Sequence, residues 1–460
     1  MERPQRLHFV GVGGIGMSAI AQVMLAEGRS VTGSDLKQSP VTKRLAARGA
    51  TVFEGHQASH VGSAQLVIRS SAVPDENPEV EEARRRGIPV VKRAAFLGQL
   101  MSEKRAIAVA GTHGKSTTSS LIGMALLKGG LDPTLLIGAD PLDLGTNARL
   151  GRGPFLVAEA DEFDGSLREF RPWMAVVTNI EAEHLDYYKT YQALLETFQG
   201  FTRSVTSGGH VLLCIDDPGA RSIMQEGYIT YGLTEAAGWR AVEPRPNPSG
   251  GYDFEVTCSG RAYGNFSSLL PGLHNVYNAV AAIAASSLAG VSTEALASAL
   301  ASFKGVTRRF QIKGEASGVI IVDDYAHHPT EIRATLKAAR ERFGKKRLVC
   351  LFQPHTYSRT KMLMDGFAEA FGEADEVLIA DIYAAREVNT YGVTSADLAS
   401  ALKHHQSRWA GSLQDARRHL LKHLKKGDVL LTVGAGDVDM VGDWLLEDLA
   451  EGGDHDVADK

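Results

Sequence analysis

The sequence predicts an α/β protein built from three successive domains, and three observations predict it. Short β-branched runs alternate with helical stretches, and the rhythm starts afresh near residues 105 and 306. Two glycine-rich turns, GVGGIGMS at 11–18 and GTHGKST at 111–117, each stand between an apolar run and a helix-like stretch. Residues 237–268 change character, becoming turn-rich, which suits a small antiparallel part inside the second domain. The predicted domains are 1–103, 104–305 and 306–460. A chain of 460 residues is long for a single core and accommodates three.

In the first domain LHFVGV reads as a strand and GMSAIAQVMLAEG as a helix closed by Gly28. SVTGSD, LVIRSSAV and IPVVKR follow as strands, with VTKRLAARG and NPEVEEARRRG as the helices between them. The second domain opens with KRAIAVAGTHGKSTTSSLIGMALLKGG, a strand, a glycine turn and a helix ending at Gly129 and Gly130. FLVAEAD, MAVVTNI and HVLLCIDD are its further strands, and residues 272–303 read as two closing helices. The third domain carries strands in GVIIVDDY, RLVCLFQ, EVLIADI and DVLLTVGAG, with helices over PTEIRATLKAARERFG and GFAEAFGEA. The acidic end, EGGDHDVADK, reads as a frayed tail.

Bulk properties exclude several classes. A net charge of −5 provides no field for nucleic acid or an anionic membrane. The three cysteines, Cys214, Cys258 and Cys350, lack metal-type spacing and suit a reducing compartment. No apolar stretch is long enough to span a bilayer and no leader-like region precedes the first turn, so a cytoplasmic protein is expected.

The turns carry the chemistry. Gly11, Gly13 and Gly16 form G-x-G-x-x-G, where bare backbone lets N–H groups approach a pyrophosphate at the positive end of a helix. Asp35, at the end of the next strand, is placed to receive ribose hydroxyls. A second mononucleotide half does not follow, so a single nucleotide diphosphate such as a UDP-sugar suits this domain better than a dinucleotide. In the second turn Gly111, Thr112, His113 and Gly114 present N–H groups to phosphate. Lys115 can reach the β/γ-phosphates, and Ser116, followed by Thr117, can ligate Mg²⁺. Only two residues separate the glycines where the usual phosphate loop has four. Glu159, Asp161, Glu162 and Asp164 cluster after one strand, and His184 and Asp186 after the next, where α/β sheets place metal ligands.

The shortened GTHGKS turn resembles that of the Mur ligases, cytoplasmic enzymes that join amino acids to UDP-N-acetylmuramic acid in peptidoglycan synthesis. GTNARLG, EADE, LPGLHNVYNAVAA, RRFQ, DDYAHHPTEI, FQPHTYSRT and GAGDVDM also resemble their signatures, in order, from Leu7 to about Trp444. The resemblance implies a Rossmann-like UDP-binding domain, a phosphate-loop ATPase domain and a Rossmann-like C-terminal domain. It implies ATP with Mg²⁺, or Mn²⁺ in its place, and the alanine-adding branch, with UDP-N-acetylmuramate and L-alanine as substrates and a monomer or weak homodimer as the assembly. On this likeness Gly13, Gly14, Ile15, Gly16, Asp35, Ser70 and Ser71 meet the UDP-sugar, and Ser116, Glu159 and His184 hold metal. Lys115 contacts the transferring phosphoryl group, Asn275 and Asn278 lie on the adenine side, and Arg309 and Asp324 close over phosphate and ribose when the third domain swings inward. Tyr325, His327, His355 and Arg359 form the amino-acid pocket, with either histidine able to take the amine's proton.

Phe163, Gly165, Ala326 and Thr356 depart from the alanine-adding pattern, which keeps murein tripeptide, glycine and serine open as alternatives to alanine. Gln199 stands where the later ligases carry a modified lysine. Two other classes compete: an oxidoreductase, on the first turn and Asp35 alone, and a non-catalytic nucleotide-dependent regulator.

Overall fold

The computed structural model describes residues 4–453, so residues 454–460 of the expected frayed tail lie outside the described residues. Three sheets carry the chain. The first has five strands in the order Thr51–Glu54, Ser30–Asp35, Arg6–Val10, Leu66–Arg69, Val90–Lys92, and every pairing is parallel. Arg6–Val10 lies at its centre and is buried from Leu7 onward, as a strand covered on both faces must be. The glycine turn leaves its carboxyl end, where strand order reverses and α/β sheets open a crevice. Helix Pro78–Arg85 on this sheet starts at Asn77, whose side chain accepts the Glu79 N–H, with proline at the first turn.

The second sheet has ten strands. Arg105–Ala110 lies between Phe155–Glu159 and Met174–Val177, with His210–Cys214 and Ile229–Gly232 continuing in parallel. The part expected to be antiparallel, 237–268, forms Trp239–Pro246, Tyr252–Cys258 and Arg261–Ser268 and extends this same sheet. Its first strand joins in parallel register, with Tyr231 opposite Trp239. Its three strands are neighbours joined by connections of five and two residues, too short for a parallel crossover, so they run antiparallel to one another as expected; Thr134–Leu136 and Ala148–Arg149 also pair antiparallel at the other edge. Two helices follow as expected, Leu273–Leu288 and Thr293–Ser302.

The third sheet runs Gln311–Ala316, Val319–Asp324, Val429–Val433, Leu348–Phe352, Glu376–Ala380, Ser407–Gly411. Only the Gln311–Ala316 edge pairs antiparallel. The expected helix over GFAEAFGEA is confined to Met364–Ala368. By packing the chain forms two compact units: Met1–Pro244 with Phe254–Ser268 and Val276–Lys304, and Arg245–Asp253 with Leu269–Asn275 and Gly305–Lys460. Within the first unit, Arg44 pairs with Asp140 at 2.8 Å and Gln22 donates to Asn147 at 3.2 Å, tying the first sheet's helices to the second sheet's loops. No helix among the described residues is long and apolar enough to cross a membrane.

Candidate active site

The first turn is fixed by its neighbour strand. Gly11 and Val12 donate their N–H groups to the Ser34 carbonyl at 2.9 and 3.0 Å. Gly13 donates to Asp35 Oδ2 at 2.8 Å, and a Cβ on Gly13 would stand 2.8 Å from that oxygen. Asp35, expected to await ribose, therefore already braces the turn. Helix Ile15–Ala26 follows, and Ile15 projects half-exposed at its mouth. Ser70 packs against Gly11, its Cβ 3.1 Å from where a Gly11 side chain would begin, and Ser71 follows it on the same loop. Asn147, inside the GTNARLG motif, donates to Ile15 O at 3.2 Å and Ile137 O at 3.1 Å.

The second turn is held by different means. Thr112 and His113 donate to the carbonyl and the Oδ1 of Asn179 at 3.1 and 2.8 Å, while Thr178 Oγ1 donates to His113 O at 2.6 Å. Gly111 has φ +135°, and a Cβ there would fall 2.1 Å from Thr178 Oγ1. Gly114 has φ +81° and starts helix Lys115–Lys128; its missing Cβ would meet Asn278 Oδ1 at 2.4 Å. That same oxygen accepts from Thr118 at 3.2 Å. Ser116 and Thr117 are buried in the first turn of the helix.

Lys115 Nζ reaches Gly111 O at 2.5 Å and Glu162 Oε2 at 3.0 Å. Burial works against its charge, but Glu162, Asp161 and Glu159 outweigh it and hold the ammonium above the ordinary lysine value. Burial raises the Glu162 carboxyl despite Lys115, whereas Asp161 ends below its usual value because Lys115 and the Phe163 N–H overcome burial. Asp161, Glu162 and His184 offer ligand atoms within 4.8 Å of one another. His184 thus meets these two acids, and Glu159, expected beside it, is directed to Gly138 N at 2.5 Å and Ser119 Oγ at 3.4 Å. The His184 ring packs edge-on against Phe163, 5.3 Å between centroids. The side chain of Asp186 lies outside the described ones.

Arg93 was not legible in the sequence and lies between the turns. Its Nη1 would stand 3.0 Å from a Cβ on Gly16, and its charge contributes to lowering Asp161. Thr178 and Asn179 were also missed; they follow a strand that marks its end but not its contacts.

In the second compact unit, Arg309 stacks on Tyr325 at 5.2 Å and faces Glu331 Oε1 at 3.6 Å. Asp324 accepts from the N–H groups of Phe310 and Ala326, at 2.7 and 2.8 Å. Burial pushes its carboxyl up to about 6, against the nearby Arg309 charge. Tyr325 and His327 are 5.5 Å apart, His327 and His355 6.0 Å, and Arg359 Nη1 lies 3.1 Å from His355 Nδ1, so the four expected pocket residues converge. Glu331 was missed although its sequence signal is local: at the third position of helix Pro329–Phe343 it completes a capping box and accepts the His327 and His328 N–H groups. Asn275 donates to Pro271 O at 2.8 Å, on the helix that also carries Asn278.

Comparison with known proteins bears on this arrangement. The catalytic domain of the Mur ligase family matches residues 6–105, the Mur ligase middle domain 109–286, and the Mur ligase glutamate ligase domain 308–436. A UDP-N-acetylmuramate–L-alanine ligase of Geobacter sp. (strain M21) is 47% identical over 450 residues, 96% of this chain and 97% of its own. The chain belongs to the Mur ligase family. Among curated Mur ligases, the UDP-N-acetylmuramate–L-alanine ligase of Geotalea daltonii is 46% identical, covering 97% of this chain and 98% of its own. Among solved Mur ligases, the UDP-N-acetylmuramate–alanine ligase of Thermotoga maritima superposes with a TM-score of 0.85 at 29% identity, covering 98% of this chain and 100% of its own. A murein peptide ligase of Psychrobacter arcticus gives 0.72 at 25% identity, covering 97% and 99%. The three-domain Mur ligase architecture therefore describes this protein, and members of this family are ATP-dependent ligases.

Proposed function

We propose that the protein joins L-alanine to the lactyl carboxylate of UDP-N-acetylmuramate at the expense of ATP, giving UDP-N-acetylmuramoyl-L-alanine, ADP and phosphate. The observation that carries the reading is the pair of glycine turns inside one compact unit, with Arg93 against the first and acting on Asp161 beside the second. High identity over nearly the whole length of alanine-adding relatives supports it. The domain limits 1–103, 104–305 and 306–460 belong to the same reading.

A carboxylate is a poor electrophile, so its oxygen first takes the γ-phosphoryl group of ATP, and the alanine amine then displaces phosphate from the acyl phosphate. Two anions must meet, and the residues supply neutralisation and alignment. The first turn, with Asp35, Ser70 and Ser71, holds the uridine diphosphate. The second turn's N–H groups and Lys115 hold the phosphates of ATP, with Asn275 and Asn278 on its adenine side. Arg309 takes a phosphate role and Asp324 a ribose role. Tyr325, His327, His355 and Arg359 receive the amino acid; the planar guanidinium suits its carboxylate, and either imidazole can accept a proton from its ammonium. Carboxylates are hard oxygen donors that suit Mg²⁺ or Mn²⁺, with the imidazole a borderline nitrogen donor beside them, so Asp161, Glu162 and His184 join Ser116 and Glu159 as candidate ligands. Such an ion supplies charge neutralisation at the phosphoryl oxygens. A cytoplasmic setting, with no membrane or nucleic-acid partner, completes the reading.

The test is phosphate release from ATP with UDP-N-acetylmuramate and a panel of alanine, glycine, serine and murein tripeptide. Release that depends on alanine is expected; release with tripeptide alone, or none with any amino acid, overturns the assignment.

A further inference from the structure

One buried acid outside both turns takes no part in the chemistry above. Glu79, fully buried on helix Pro78–Arg85, gathers donors from three neighbouring segments. Its carboxylate accepts from Ser34 Oγ on strand Ser30–Asp35 at 2.5 Å and from the Gln57 N–H at 3.1 Å. His8 Nε2, from the central strand Arg6–Val10, lies at 3.1 Å and His60 Nδ1 at 3.0 Å, with His56 Nδ1 at 3.4 Å. His8 is itself anchored through Nδ1 to Thr32 Oγ1 at 2.7 Å, and His56 Nδ1 also lies 3.1 Å from Ser34 Oγ.

An anion buried this completely survives only where hydrogen bonds replace its lost water. Here they do. Burial raises its pKa, but His8 and Ser34 more than reverse this and bring it down to about 2, so the group is a carboxylate at any working pH. The distances to Ser34, Gln57, His8 and His60 are those of hydrogen bonds, and the partners come from the central strand, the strand beside it and the segment 56–60.

Ser34 connects this hub to the site. While Glu79 holds its hydroxyl, its carbonyl accepts the N–H groups of both Gly11 and Val12, at 2.9 and 3.0 Å. The next residue, Asp35, holds Gly13 N–H at 2.8 Å. Three successive N–H donors of the first turn are thus set by two adjacent residues, one of which is clamped from behind.

We propose that Glu79 is the positioning residue of the first glycine turn: through Ser34 it anchors the backbone at Gly11 and Val12 and so fixes where the rest of the turn meets the diphosphate of a sugar nucleotide. This inference rests on the first turn being the UDP-sugar site. Glu79 touches no substrate; its effect reaches the ligand only through strand Ser30–Asp35.

The experiment is calorimetric titration of the full-length protein with UDP-N-acetylmuramate and, separately, with ATP and Mg²⁺. Wild type, Glu79→Gln, Ser34→Ala and the double variant are compared, with thermal melts to establish folding. Each single variant is expected to weaken sugar-nucleotide binding about tenfold, the size of one misplaced hydrogen-bond network. The double variant should be no weaker than the weaker single one, because both break the same linkage. ATP affinity should stay within about twofold, and kcat at saturating substrate should hold while KM for the sugar nucleotide rises. A folded Glu79→Gln protein that binds the sugar nucleotide as wild type does, or losses that multiply in the double variant, overturns the inference alone. Wild-type protein that binds no sugar nucleotide overturns the assignment of the turn, and this inference with it. Where Glu79→Gln does not fold, Ser34→Ala decides by the same tenfold criterion.

Discussion

The two glycine turns are similar in sequence and are braced in opposite ways. The first is held by anionic and carbonyl oxygen: Ser34 O and Asp35 Oδ2 accept its N–H groups, and the nearby cation is Arg93. The second is held by neutral groups, Thr178 and Asn179, and is crowded with charge from Lys115, Asp161 and Glu162. The difference suits the roles proposed for the two turns. A turn that grips an unreactive diphosphate needs fixed donors and room. One that handles a phosphoryl group in transfer needs mobile charge of both signs, kept balanced in its absence.

The contrast breaks first at Lys115. Lys115→Ala is expected to lower kcat for phosphate release by about 100- to 1000-fold, since it removes a cation from developing charge. Calorimetry should find UDP-N-acetylmuramate binding unchanged; a parallel loss there would mean that the turns are not independent. Next comes the backbone. Gly111→Ala places a Cβ 2.1 Å from Thr178 Oγ1 at φ +135°, and should cost about 1–3 kcal/mol of stability together with ATP binding. A thermal melt and an ATP titration read both effects.

A gentler pair sharpens the contrast. Asn179→Ala should raise KM for ATP about tenfold, and Asp35→Ala should do the same for the sugar nucleotide, each leaving the other substrate's KM in place. Arg93→Ala, lying against Gly16 and acting on Asp161, should instead raise the sugar-nucleotide KM and lower kcat together, by about three- to tenfold. Steady-state kinetics with each substrate varied separate these patterns.

The smallest effect concerns Asp324, whose folded carboxyl titrates at about 6 against an ordinary 3.8. Between those values the folded protein keeps a proton that the unfolded chain has released. Stability therefore falls as pH rises through that window and levels off above it. Asp324→Asn should shrink that fall by up to about 3 kcal/mol, the full span of the shift. Chemical denaturation at pH 4, 5, 6 and 7 measures it.

Features that depend on neighbours in the chain were legible. Buried strands such as Met174–Val177 and Leu348–Phe352 are continuous apolar runs, and both turns follow such runs directly. Three edge strands were not: Thr51–Glu54 has no buried residue, Ala148–Arg149 has two residues, and Ser407–Gly411 contains no apolar run. Their strand state comes from pairing, not from local pattern. Within 237–268 the short connections made the antiparallel strands legible, whereas the parallel join of Trp239 opposite Tyr231 comes from the strand beside it. In the candidate site, glycines, Lys115 and the histidines carry residue-type signatures. Arg93, Thr178, Asn179 and Glu79 carry none, because their meaning lies in contacts with distant segments. Glu159 and His184 have the family's spacing, yet only the fold reveals that His184 faces Asp161 and Glu162.

The Lys115–Glu162 contact has a consequence for how nucleotide enters. A carboxylate already rests on the ammonium, so on the proposed reading an arriving phosphate would replace one anion with another instead of meeting a bare cation. Affinity then reflects the difference between two ion pairs, and added salt weakens it less than the phosphate's charge alone suggests. On the proposed reading, a displaced Glu162 would leave an unshared negative charge beside Asp161 and His184, a set of groups that would suit a divalent ion.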